Sequence, residues 1–249
     1  MLFNSTILIL SAFLGGMGVF LIPKIKTEHF KLSLIFSGAY LFAITITHIL
    51  PDLFTTTRAA SNTIGIFVLL GFFMQFLLEH FTAGVEHGHL HQHGSHTHDH
   101  SGRPVFLLAA LCLHAFLEGT LFTFPQNLNG HNHTGGLLLG ISLHKIPAAF
   151  ALMSVLFHQL RSKQAAISFL TIFALASPLG IWAAQIYQTN TLISHEFYPY
   201  IFALVCGNFL HISTTILFEN SPEHSFNSKK LLYSLLGFLL AIGIELFNN

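Results

Sequence analysis

Charged residues are what this sequence has least of. Asp, Glu, Lys and Arg make up 8% of its 249 residues, ten acidic against ten basic, so the net charge is zero with histidine neutral. That is too little charge to solvate the surface of a soluble domain. The basic residues are scattered among separate connections without surface aromatics beside them, which gives a nucleic-acid partner no support. Cysteine is nearly absent. Cys112 and Cys206 both fall in apolar stretches, so they cannot staple external loops, and they read as small, buried and inert. Cys112 lies two residues from His114, on the opposite side of a helix, a poor arrangement for a shared ligand role. No glycine-rich phosphate loop occurs, which argues against the chain driving anything with ATP by itself.

What is present is apolar sequence in long runs. Hydrophobic residues make up 52% of the chain and the mean hydropathy is +0.64. A membrane span takes about 20 residues, and eight candidates lie near 4–22, 32–51, 62–80, 104–124, 135–157, 164–187, 198–218 and 230–247. They use most of the chain and predict a single all-α transmembrane domain over 1–249. The first run is read as a true span, because its positive charges (Lys24, Lys26, Lys31) follow it rather than precede it as in a signal peptide. With the N-terminus outside, those three and Arg103, Arg161, Lys163, Lys229 and Lys230 fall in cytoplasmic connections, while Arg58 alone falls outside and Lys145 lies within a span. This asymmetry is the positive-inside pattern, and an even number of spans then puts both termini outside.

One connection is long, from 81 to 103. It carries His87, His89, His91, His93, His96, His98 and His100 without hydrophobic periodicity. Such a tract reads as a cytoplasmic loop whose neutral imidazoles bind divalent metals near a pore mouth.

Span four contains HAFLEG, His114 to Gly119. His114 and Glu118 stand at i and i+4 and share one helix face, and an ionisable residue at mid-membrane is a functional candidate by default. Span five contains GISLHKIPAAF, with His144 and Lys145 also far from either end. At about 1.5 Å per residue, Glu118 and His144 fall at similar depths on two antiparallel helices. Two imidazoles and a carboxylate at one level suit Zn²⁺ or Fe²⁺. Pro147 withdraws a backbone donor from the Leu143 carbonyl, so a kink is expected beside His144. Lys145 is too central to reach the interface, and beside Glu118 it would take the place of a second cation and hold the carboxylate ionised.

HAFLEG followed by HKIPAAF resembles the paired span-four and span-five motifs of the ZIP (Zrt/Irt-like) metal transporters. Weaker echoes are GAYLFAITITHILPD in span two, GFFMQFLLEH in span three, ASPLG in span six and GNFLHIS in span seven. The resemblance implies eight spans with external termini, an inverted 3+2+3 helix arrangement and a homodimer, and it assigns His114, Glu118 and His144 to the primary metal site. Members with two metals in the site carry Asn, Asp or Ser after the first histidine, an acid after the span-five ligand, a further acid one turn on, and an acid before the span-six proline. Here those positions are Ala115, Lys145, Ala148 and Ser177. All four changes remove ligands, so the resemblance is to the lysine-containing, single-metal branch, with a fourth ligand still to be supplied. At the ends of the path, His48, Asp52 and Glu245 lie toward the outer side, where they would concentrate cations, and Glu79, His80 and His211 lie on the cytoplasmic side as a release route.

The sequence therefore reads as a multi-pass protein of a plasma membrane or bacterial inner membrane that imports a divalent metal, zinc first and Fe²⁺, Mn²⁺ or Cd²⁺ as alternatives. It is not read as an enzyme, and no cofactor is expected besides the transported ion. Two other classes fit worse. An intramembrane metalloenzyme would need HExxH or dense histidine boxes near the membrane face. HExxH is absent, and HxxxH-like spacings occur only in the histidine loop. A cation-diffusion-type exporter resembles six spans with internal termini, against the charge count.

Overall fold

Helices form wherever the apolar runs were found, because within a bilayer a lone segment can satisfy its backbone polar groups only by coiling. The computed structural model describes residues 1–21, 27–56, 60–82, 103–123, 134–160, 162–189, 197–219 and 228–248. The elements are α1 (Leu2–Leu21), α2 (Thr27–Ile44), a π-helical turn (Thr45–Ile49) leading into α3 (Leu50–Thr56), α4 (Ser61–Thr82), α5 (Arg103–Thr120) with a closing 3₁₀ turn (Leu121–Thr123), α6 (Thr134–Leu160), α7 (Lys163–Thr189), α8 (Tyr198–Glu219) and α9 (Ser228–Asn248). Among the described residues, eight spans are long and apolar enough to cross a membrane, with α2 and α3 forming one of them. The second span is longer than the sequence suggested, Glu28–Thr55 against 32–51. The histidine-loop residues His87, His89, His91, His93, His96, His98 and His100 lie outside the described residues.

The spans differ in how much of their surface the protein covers. Those of α2–α3, α6 and α8 are mostly buried, whereas α4 and α9 turn most of theirs outward. The principal neighbours are α4 with α8, α1 with α6, α2 with α9, and α5 with α7. Exchanging the first three spans for the last three, and α5 for α6, carries these pairs onto one another.

Each pair closes on a glycine. A Cβ at Gly15 would collide with the Ile146 carbonyl, at Gly71 with Leu204, at Gly207 with Val68, at Gly237 with Phe36, and at Gly119 and Gly180 with Ser177 and Phe116. Lipid gives no hydrophobic drive for helices to associate, so close backbone approach at small residues supplies the packing energy. The Tyr40 hydroxyl adds a polar tie, donating to the Gly136 carbonyl at 2.9 Å and joining α2 to α6. At the outer end of α5, Thr123 donates to the Thr120 carbonyl at 2.9 Å and Tyr198 of α8 to the same carbonyl at 3.3 Å, which finishes the helix in its 3₁₀ turn.

The apolar core is in two parts. One holds Leu121, Leu138, Ile141, Ile181, Cys206 and Phe209. The other holds Leu111, Ala115, Ala149, Ala176 and Ile212. His114 and Glu118 on α5, His144 and Lys145 on α6, Ser177 on α7 and Asn208 on α8 fall where one part gives way to the other along each helix, and that boundary is where the site lies.

Adding a branched side chain at a glycine contact forces the helices apart, at a cost of about 1–3 kcal/mol. Gly207→Val is expected to lower the melting temperature in detergent, while Gly243→Ala, whose Cβ would meet nothing within 4 Å, leaves it unchanged. Equal melting of both variants would contradict the glycine contacts.

Candidate metal-transport site

The i, i+4 spacing on α5 does what it promised. His114 Nε2 lies 2.8 Å from Glu118 Oε1. Across the helix pair, the His144 ring of α6 stands perpendicular to that of His114, with centroids 6.1 Å apart. Ligand atoms of His114, Glu118 and His144 all lie within 4.8 Å of one another, and among the described residues this is the one such group of three. The group is closed to bulk solvent: relative exposures are 4% for His114, 2% for Glu118 and 1% each for His144 and Lys145.

Lys145 supplies the countercharge. Its ammonium donates to Glu118 Oε2 at 3.2 Å and to Ser177 Oγ of α7 at 2.7 Å, and it lies 4.7 Å from the centroid of the Phe173 ring. Glu118 is thus held between an imidazole and an ammonium. Ser177 reaches the lysine because α5 and α7 touch at Gly119 and Gly180, the residues that end HAFLEG and ASPLG. A side chain at either position would lift α7 away and take Ser177 with it. Pro147 lies inside α6, which continues through it as one helix.

The outer residues also meet. His48 sits in the π turn with Nε2 3.6 Å from Asp52 Oδ2 and Nδ1 3.5 Å from Glu245 Oε1 of α9. The π turn was not anticipated. Its signal in the sequence was Pro51, which denies a donor to the Thr47 carbonyl, and the hydroxyls of Thr45 and Thr47 donate back to the carbonyls of Leu41 and Ala43 at 2.7 and 2.9 Å. On the other side of the site, His211 Nε2 donates to Glu79 Oε2 at 2.7 Å, bridging α8 to α4. The His211 ring rests edge-on against Phe72 and Phe76. His80, the next residue on α4, is exposed.

Asn208 was overlooked as a site residue. It is fully buried on α8, and its Oδ1 lies 3.2 Å from His114 Nδ1. Its signal was the i, i+3 pairing of Asn208 with His211 inside GNFLHIS, two polar residues on one face of an apolar helix.

Compared with protein families, the chain matches the model of the ZIP zinc transporters over residues 86–245. The chain belongs to that family. As a ZIP protein it is a multi-pass membrane protein and a carrier of divalent metal. The match begins within the histidine-rich segment and takes in the whole of α5 and α6. A search of curated proteins finds no match.

The buried pair makes a sharp prediction. Removing one partner of a buried ion pair costs about 3–5 kcal/mol, because the other charge is stranded. Lys145→Met is expected to lower the melting temperature of the metal-free protein markedly, and the double variant Glu118→Gln/Lys145→Met to recover much of the loss. A Lys145→Met protein that melts like wild type would show that the pair is not ionised.

Proposed function

We propose that this ZIP protein imports zinc into the cytoplasm one ion at a time, at a site formed by His114, Glu118 and His144. The observation that carries the reading is the convergence of two imidazoles and a carboxylate, all buried, within 4.8 Å in the membrane domain. Such a donor set suits Zn²⁺, and a fourth position left to water or a mobile ligand fits an ion that must leave again. Fe²⁺, Mn²⁺ and Cd²⁺ are the alternative cargoes, since imidazole and carboxylate accept them all.

Lys145 stands where a second ion would sit, so the site holds a single metal and the chain falls in the lysine-containing branch. His48, Asp52 and Glu245 form the outer mouth, and His211 with Glu79 the inner gate, handing metal to the histidine loop with His80 nearby. Both termini are external on this reading, which rests on the Lys and Arg asymmetry. The exchange symmetry of the helix pairs supports two inverted three-span units flanking α5 and α6. Movement of those units against each other would expose the site alternately. Family membership supports a homodimer.

The test is radioactive zinc influx into proteoliposomes of known protein orientation. Wild type is expected to admit zinc from the outer face, His114→Ala to fall to the protein-free background, and deletion of His87–His100 to keep substantial flux. If wild type carries neither zinc nor iron nor manganese, the proposal is wrong. If the loop deletion alone abolishes flux, the loop rather than the buried triad is the transport site.

A further inference from the structure

His114 can serve a metal only through a nitrogen that carries a lone pair, and which nitrogen that is depends on where the ring proton sits. Nε2 faces the site, 2.8 Å from Glu118 Oε1. Nδ1 faces α8, 3.2 Å from Asn208 Oδ1. An imidazole whose Nδ1–H is held by a carbonyl-type oxygen meets a metal through Nε2; with no metal there, the 2.8 Å contact to the Glu118 carboxylate is bridged by a proton, whose place the cargo takes. The amide of Asn208 presents such an oxygen.

We infer that Asn208 is a positioning residue for the transport site: it accepts the His114 Nδ1–H, and so fixes both the tautomer and the ring angle that aim Nε2 at the cargo. The inference rests on the single-metal transport reading above.

Three observations support this role over simple packing. Asn208 is fully buried on α8, at the level where one half of the core, ending at Phe209, gives way to the other, beginning at Ile212. Of its two amide atoms, Oδ1 is the one that finds a partner among the described residues. And its neighbour Phe209 presents a ring to the His114 ring at 6.4 Å, perpendicular in sense, so that α8 confines the imidazole by shape while Asn208 confines it by a directed bond. Partners of this kind raise ligand basicity, and their loss typically lowers metal affinity 10–100-fold.

A residue acting through another must be separated from one that merely holds the fold. Zinc influx would be measured on the full-length protein in proteoliposomes as a function of zinc concentration, for wild type, Asn208→Leu, Asn208→Ala and Asn208→Asp, with melting temperature in detergent recorded for each. Leu keeps the volume and removes the acceptor; Asp restores an acceptor at the same place. The expected result is that Leu raises KM roughly 10–100-fold with an unchanged melting temperature, that Ala does the same if Leu fails to fold, and that Asp returns KM to within a few-fold of wild type. Wild-type KM in the Leu or Ala variant would overturn the inference, as would equal impairment in Leu, Ala and Asp tracking lowered melting temperatures. Absence of zinc influx in wild type would instead overturn the transport reading on which this one rests.

Discussion

A carboxylate buried in a membrane domain stays ionised only with a cation beside it, and here the partner is Lys145, 3.2 Å from Glu118. Both groups are buried among apolar helices, so each charge alone would carry a penalty of several kcal/mol. Paired, they give a neutral layer in which Glu118 presents its other oxygen to His114. Much follows from that constraint. On the proposed reading, a site with a protein-borne cation has room for one metal rather than two. The lysine, with its bonds to Glu118 and Ser177 and its place over Phe173, is held from three sides rather than left to swing.

The helix contacts exist at the separations this pairing needs. Glycines on both sides of the α5–α7 contact bring Ser177 to the lysine, and the same device joins α1 to α6, α4 to α8 and α2 to α9. Without a hydrophobic drive between helices, the backbone contacts decide which faces turn inward, and polar residues come along on those faces. On α8 this puts Asn208 at the metal site and His211 one turn further on, against Glu79 of α4. On α2–α3 the π turn carries His48 between Asp52 and Glu245. Clusters of ionisable groups thus stand at three stations along the bundle.

The spans were legible in the sequence because hydropathy and length suffice for them, and all eight lie within a few residues of where the apolar runs placed them. The paired motif on α5 and α6 was legible because i, i+4 spacing is a local rule. Lateral arrangement was another matter. A transmembrane helix is apolar on every side, so periodicity does not say which face meets a neighbour, and the partners of His211 and His48 could be suspected but not assigned. Asn208 was passed over for the same reason, since only the meeting of α8 with α5 gives it His114 to hold. The π turn depends on how Pro51 and two threonines share carbonyls, which no hydropathy pattern records.

The central claim is that three side chains hold one metal while Lys145 fills the place of another. Anomalous diffraction from crystals of the protein soaked in zinc tests it most directly. The account predicts a single intramembrane peak about 2.0–2.2 Å from a nitrogen of His114, an oxygen of Glu118 and a nitrogen of His144, with Lys145 still against the second carboxylate oxygen. Two peaks some 3.5–4 Å apart, the separation of a shared two-metal site, or no peak at these residues while metal binds elsewhere in the membrane domain, would contradict it.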